Sequence, residues 1–204
     1  MLSNRHVLAP KENGAGDRRI LCRIDGGVTE IGALADYFKL SSEGGKGFLD
    51  AALGRLNDRG TSHASLLAIQ KQNGSGFKIV ASRVLQDNES GTFWLSGGNS
   101  GLQNGTVWDR LRGGGTWNIE YENLGILTVN RLYGLKAFAR SGDSGSPIFE
   151  KTDTDGDGVA LVGIAVAVAH DPDTNRTITL FHAIKEVEAG FARVLGRSDF
   201  KFIP

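Results

Sequence analysis

The sequence is short of the features that would cross-link, charge or anchor a chain. Its one cysteine, Cys22, excludes a disulfide within the chain and suits a reducing compartment. Lys plus Arg and Asp plus Glu are both 23, so the formal net charge is zero and neither nucleic acid nor an anionic membrane surface is indicated as a partner. The longest apolar run, residues 159–169, is too short to span a bilayer. These shortages favour a cytoplasmic protein, and secretion stays open if the N-terminus is truncated.

Proline is also scarce, with 4 residues, whereas glycine is abundant, with 29 of 204. This glycine content is about twice the usual share and is spread along the chain. It favours many short strands joined by tight turns over helices or disorder. The length suits one large domain or two small domains that share a cleft. Cys22 lies in an apolar run, residues 20–24, which predicts a strand with the thiol in the core.

The stretch with the strongest chemical signal is residues 141–147, Ser-Gly-Asp-Ser-Gly-Ser-Pro. A serine between glycines on a tight turn exposes its hydroxyl as a nucleophile, and the turn's backbone N–H groups can hold an oxyanion. Gly142 lacks a Cβ and therefore lets a substrate carbonyl approach Ser144 closely. The plainer interpretation is a glycine-rich β-turn without chemistry, because Gly, Asp and Ser are common turn residues.

A nucleophilic serine also needs a general base and an acid that orients the base, so the presence of both elsewhere in the chain would favour the first interpretation. The sequence offers a candidate for each. His6 stands beside the apolar residues 7–9, which would fix its imidazole at the edge of a core; its alternative is a structural histidine. Asp50 lies within the apolar segment 48–53, where a carboxylate needs a partner; its alternative is a helix or turn cap. Asp36 and Asp58 are weaker substitutes for Asp50.

The order His6, Asp50, Ser144 resembles the histidine, aspartate, serine order of the chymotrypsin family. It argues against an α/β-hydrolase esterase, which needs Gly-x-Ser-x-Gly and places its acid and histidine after the serine. Position 146 is serine rather than glycine, and the 60 residues after Ser144 are too few for a doubly wound sheet.

Three segments resemble trypsin-like (chymotrypsin-fold) serine peptidases, most closely the disulfide-free domains of bacteria. They are Ser-Asn-Arg-His-Val-Leu-Ala at 3–9, Gly-Asp-Ser-Gly-Ser-Pro at 142–147 and a Gly-x-x-Ser-Gly-Leu-x-x-Gly-x-Val pattern running to Val107. The resemblance implies an all-β, double Greek-key β-barrel with a C-terminal helix. It implies an N-terminal lobe, 1–75, with the His and Asp, and a C-terminal lobe, 76–204, with the Ser. Five residues precede His6, so the usual first hairpin is missing and the first barrel is expected to be incomplete.

The resemblance also implies a serine endopeptidase that hydrolyses protein or peptide substrates without a cofactor or metal. His6 would be the general base, Asp50 would orient it, Ser144 would be the nucleophile, and the amides of Gly142 and Ser144 would form the oxyanion hole. The missing Ile-Val-Gly-Gly start predicts no activation by a new N-terminus beside Asp143. The alternative is a catalytically inactive module that binds peptides or other proteins. Either could be fused to, or associated with, upstream domains.

Selectivity is predicted from the same resemblance. Phe138, six residues before Ser144, would form the base of the specificity pocket, where trypsin-type enzymes have an aspartate. Val166 and Ala167 would line its wall, which suggests a shallow or apolar pocket. His182 would point into the pocket and favour an acidic side chain.

Two further patterns concern the second half of the chain. Residues 153–158, Asp-Thr-Asp-Gly-Asp-Gly, resemble the start of a calcium loop, but the twelfth position is Ile164 rather than Glu, so a hairpin is predicted instead. Apolar residues recur at helical spacing near the C-terminus and predict an amphipathic helix. They are Ile184, Val187, Phe191, Val194 and Leu195.

Overall fold

The computed structural model describes most of the chain, and every structural statement below refers to that part. The described residues are 1–8, 18–24, 26–38, 46–47, 49–63, 68–70, 76–108, 113–122, 125–152 and 156–202. In chain order the elements are β1 (Leu2–Ser3), α1 (Arg5–Leu8), β2 (Arg19–Ile24), β3 (Gly27–Tyr37), β4 (Lys46–Gly47), β5 (Ala52–Leu56), α2 (Asp58–His63), β6 (Ala68–Gln70), β7 (Gly76–Ser82), β8 (Thr92–Gly97), β9 (Gly101–Thr106), β10 (Gly115–Tyr121), β11 (Gly125–Leu135), β12 (Pro147–Lys151), β13 (Gly158–Asp171), β14 (Arg176–Ala183) and α3 (Ile184–Leu195).

The smaller of two sheets is built by the N-terminal part of the chain. Its order is β1-β5-β3-β2, and each neighbouring pair is antiparallel. β5 begins two residues after Asp50, so the segment that follows the acid is a strand and not the helix that a capping role would require. Asp50 thus lies just before the start of an interior strand of this sheet.

The larger sheet has ten strands and carries most of the core. Its main path is β10-β11-β14-β13-β12-β8-β9, and β4, β6 and β7 attach to it at the side. β13 is the long central strand, and its residues from Val159 to Val166 are all buried because other elements cover both of its faces. The largest fully buried side chains come mainly from this sheet and include Phe93, Leu95, Leu135, Ile148 and Phe181.

The predicted C-terminal helix is confirmed as α3. Ile184, Val187 and Phe191 are buried on its inner face, whereas Val194 and Leu195 at its last turn are exposed. The helix ends at Gly196, whose φ of 63° lies in the left-handed region that glycine tolerates. No helix in the described ranges is long and apolar enough to cross a membrane.

Three predictions about the fold concern Cys22, the lobe boundary and the hairpin at residues 153–158. Cys22 is exposed and not in the core, because a register shift between Ile20 and Leu21 breaks the strand's inward and outward alternation. The lobe boundary at residue 75 stays a prediction: β4 and β6 precede it, yet both hydrogen-bond to strands of the larger sheet. The hairpin predicted at 153–158 is flanked by the antiparallel pair β12 and β13, but residues 153–155 lie outside the described part.

Candidate active site

A groove of about 390 Å³ lies between α1, which carries His6, and the strands of the larger sheet. His6 and Ser144, which stand 138 positions apart in the sequence, both line it. The other walls are formed by residues 117–122 on β10 and directly after it, 139–143 before the serine, and 165–168 on β13. The fold therefore brings the predicted nucleophile and the predicted base to one cavity.

His6 is attached to Asp50 by two contacts. Its ring Nδ1 hydrogen-bonds to Asp50 Oδ2, and its backbone N–H donates to Oδ1 of the same carboxylate at 3.0 Å. The carboxylate is fully buried, whereas the imidazole is 24% exposed. A buried carboxylate bound to Nδ1 leaves the ring's Nε2 as the nitrogen that is free to exchange a proton.

The remaining polar groups of Asp50 are also occupied. The Tyr121 hydroxyl donates to Oδ2 at 3.1 Å, the Asn4 side-chain amide donates to the backbone carbonyl at 2.8 Å, and the backbone N–H donates to His182 Nε2 at 2.8 Å. A buried charge is tolerated only when donors surround it, and the carboxylate has three contacts of this kind, from the ring and the backbone N–H of His6 and from the Tyr121 hydroxyl. Asp50, which lies just before β5 of the smaller sheet, is thus held by Asn4 and by Tyr121 and His182 of the larger sheet.

His182 lies beneath Asp50 and does not line the groove, which differs from its predicted place in the specificity pocket. It is fully buried, and burial lowers its pKa to about 4, against the opposing effects of the Asp50 charge and the Arg131 carbonyl. Because Nε2 accepts from the Asp50 N–H, the ring is neutral and its Nδ1–H donates to Arg131 O at 3.2 Å. Arg131 itself has a left-handed φ of 57°.

Ser144 stands on a tight turn at the start of the larger sheet's central hairpin. Its hydroxyl donates to Val166 O at 3.3 Å. In the same turn the amides of Asp143, Gly145 and Ser146 donate to backbone carbonyls at 2.9–3.0 Å. Within the described residues, the amides of Gly142 and Ser144 have no such partner. Two N–H groups beside the hydroxyl are therefore available to a ligand in the groove.

Asp143 anchors this turn from below. Its buried carboxylate accepts from the amides of Asn99 at 2.7 Å, Ser100 at 3.2 Å and Arg140 at 2.7 Å. Burial raises the pKa of this carboxyl, but the hydrogen bonds from Arg140, Asn99 and Ser100 together lower it below its usual value. Neutral backbone donors thus stabilise this charge.

The predicted pocket residues divide into two groups. Val166 and Ala167 line the groove. Phe138 does not: it is 45% exposed, and the Arg140 guanidinium lies 5.5 Å from its ring centre. The alternation of the segment explains the difference, because the neighbouring residue Ala139 is the one that turns inward and lines the cavity.

Several residues at the site carry no recognisable signal in the sequence. Tyr121 sits in β10, 71 positions after Asp50, and its ring centre lies 5.3 Å from that of His6. Asn99 contacts the serine turn from the hairpin between β8 and β9. The sequence of this hairpin resembles the peptidase family, but it did not indicate that Asn99 lies at the site. No cluster of three or more His, Cys, Asp or Glu that could hold a metal occurs among the residues described.

Comparisons with known proteins identify the fold through solved structures, whereas the sequence itself matches no known family. No protein-family model matches the sequence, and no curated protein matches it either. Among solved structures, protease A of Thermobifida fusca is similar over 94% of this chain and 81% of its own, with a TM-score of 0.58 and 19% identity. A glutamic acid-specific serine protease, described as using a histidine triad in substrate binding, is similar over 94% and 83%, with a TM-score of 0.60 and 16% identity.

A Nocardiopsis protease gives the same result, with a TM-score of 0.56, 15% identity and coverage of 93% of this chain and 81% of its own. These identities are too low to transfer an activity, but the coverage extends over nearly the whole chain. The all-β architecture predicted from the sequence is confirmed. This chain has the double β-barrel fold of the chymotrypsin-like serine proteases.

Proposed function

We propose that the protein is a serine endopeptidase that uses His6, Asp50 and Ser144. The observation that carries the proposal is the pairing of the His6 ring with the buried Asp50 carboxylate at the rim of the groove that also holds Ser144. A serine nucleophile, a histidine base and an orienting aspartate perform acyl transfer on several unrelated folds, because the chemistry depends on the geometry of the three side chains.

In the proposed reaction the Ser144 oxygen attacks a peptide carbonyl carbon while His6 Nε2 takes the hydroxyl proton. The tetrahedral intermediate then collapses, the C–N bond breaks, and His6 returns the proton to the leaving amine. Water repeats the cycle: His6 takes a proton from it, the hydroxide adds to the acyl carbon, and Ser144 leaves with its proton restored. Asp50 holds the ring in one tautomer and stabilises its cationic form.

The negative oxygen of the tetrahedral intermediate would be held by the amides of Gly142 and Ser144. Both amides lack a protein partner within the described residues, and both residues line the groove. Donors that are already oriented toward the developing charge are worth about 3 kcal/mol each in enzymes of this kind. The reaction needs no metal or cofactor.

The walls of the groove favour an apolar substrate side chain. Val166, Ala167 and Ala139 supply small apolar surfaces to the groove that Ser144 also lines, and Trp117 lines it from β10. Phe138 and His182, which lie outside the groove, take no part in this proposal. Cleavage of a peptide library is expected to select small or medium apolar side chains at the scissile position.

Labelling with a fluorophosphonate probe tests the proposal directly, because the probe reacts only with an activated serine. We expect the unaltered protein to be labelled at Ser144, and Ser144→Ala and His6→Ala to lose the label. His170→Ala, at an exposed position on β13, is the matched histidine control and should stay labelled. A folded protein that is never labelled would contradict the proposal and favour the peptide-binding module.

A further inference from the structure

The peptide bond between Ser141 and Gly142 contains one of the two N–H groups assigned to the oxyanion hole. A trans peptide is planar, so its C=O and N–H point in opposite directions. Whatever fixes the Ser141 carbonyl therefore also fixes the direction of the Gly142 N–H. A half-turn of this peptide would put a carbonyl oxygen where the oxyanion must sit, and the two oxygens would repel each other.

Asn99 makes that fixing contact. Its side-chain Nδ2 donates to Ser141 O at 2.7 Å, and its backbone N–H donates to Asp143 Oδ1, also at 2.7 Å. The residue stands in the turn between β8 and β9, outside the serine turn itself. One side chain and one amide of the same residue thus hold the two groups that flank Gly142.

The carboxamide also packs directly against Gly142. A Cβ added at position 142 would lie 2.4 Å from Asn99 Nδ2, and the φ of Gly142 is +91°. Only glycine meets both conditions, because a side chain would be strained there and would displace the carboxamide. The Gly142 N–H, on the other side of the peptide, has no partner among the described residues.

We infer that Asn99 is a positioning residue that sets the orientation of the Ser141–Gly142 peptide and so points the Gly142 N–H into the groove. The inference rests on the proposed function, since it assigns the groove to a developing oxyanion. Asn99 does not touch the substrate in this scheme; it acts through the peptide that it holds.

Asn99→Asp is the sharpest test, because it keeps the size of the side chain and replaces the donor with an acceptor. We expect the second-order rate constant of fluorophosphonate labelling to fall by about 100-fold, the loss that follows removal of one oxyanion donor. Asn104→Asp is the control: it adds the same charge at an exposed position of the same hairpin and should label at the unaltered rate. Asn99→Ala, which adds no charge, should fall by a similar factor and serves if the Asp variant does not fold.

The burst phase with p-nitrophenyl acetate separates positioning from binding. The acylation rate constant should fall in the Asn99 variants while the half-saturating concentration stays unchanged, because the contact is used only in the transition state. Labelling and acylation at the unaltered rate in both variants would overturn the inference and leave the proposed function intact. A rise in the half-saturating concentration alone would also overturn it. An unaltered protein that does not react with either reagent would instead refute the proposed function.

Discussion

The buried ring of His182 predicts how the free energy of unfolding depends on pH. In the unfolded chain this histidine takes up a proton near its ordinary pKa of 6.5, whereas burial lowers its pKa in the folded protein to about 4. Above pH 6.5 both states are neutral and the residue has no effect. As the pH falls below 6.5 only the unfolded chain gains the proton, so the folded state loses stability until about pH 4.

The size of the effect follows from the two pKa values. At about 1.4 kcal/mol for each pH unit, the full loss is about 3 kcal/mol, of which about 2 kcal/mol falls between pH 7 and pH 5. Because the ring is fully buried, solvent does not screen this contribution. His182→Gln removes the titrating ring and should abolish this part of the pH dependence.

Chemical denaturation at pH 7 and pH 5 measures the difference. The unaltered protein should lose about 2 kcal/mol more than His182→Gln over this interval, by the same linkage. His170→Gln makes the same change at an exposed site and should behave like the unaltered protein. Equal losses in all three proteins would refute the conclusion that a neutral His182 accepts the Asp50 N–H.

Three further predictions concern single contacts. Gly142→Ala should slow fluorophosphonate labelling by about 100-fold, because the new Cβ displaces the Asn99 carboxamide. Gly98→Ala is the control: its added Cβ meets nothing within 4 Å, so labelling should keep the unaltered rate. Labelling of Gly142→Ala at the same rate as Gly98→Ala would contradict the role given to Asn99. Tyr121→Phe removes a hydrogen bond to the buried Asp50 carboxylate and should lower the free energy of unfolding at pH 7 by about 1.5–3 kcal/mol; an unchanged denaturation curve would show that the contact contributes nothing. Gly190→Ala should lower the melting temperature and cost about 1–3 kcal/mol, because the new Cβ would lie 2.7 Å from Phe38 Cζ and 2.8 Å from Leu49 Cδ1. A higher melting temperature would instead mean that alanine's helix preference outweighs the clash.

The parts of this molecule that could be predicted from its sequence are those encoded in short strings. Residues 142–147 specify a tight turn by themselves, and the spacing of Ile184, Val187 and Phe191 specifies a helix with one buried face. Each pattern depends on neighbours within a few positions, so no knowledge of the register between distant strands was needed. The abundance of glycine favoured many short strands, and the double-barrel fold was implied by the resemblance of residues 142–147 and two further segments to trypsin-like serine peptidases.

The parts that could not be predicted depend on contacts between distant segments. Phe138 and His182 were both assigned to the pocket. Phe138 follows the end of β11 and is exposed between the buried residues Ala137 and Ala139, and the pairing of His182 with Ile164 places its ring beneath Asp50. A shift of one position exchanges the two faces of a strand, and sequence spacing alone does not reveal it. Asn99 and Tyr121 were missed for the same reason, since each meets its partner across 42 and 71 positions respectively.

The contacts of Asp50, just before β5 of the smaller sheet, with Tyr121 and His182 of the larger sheet have a consequence for synthesis on the ribosome. Asp50 and its histidine are made before Tyr121 and His182, two of the residues that hold the acid. In a nascent chain that stops before β14, the Asp50 N–H would be buried without its acceptor, or the two sheets would not pack against each other. The support of Asp50 therefore cannot be completed until the chain has been made through His182, so a product that ends before β14 would lack a finished site.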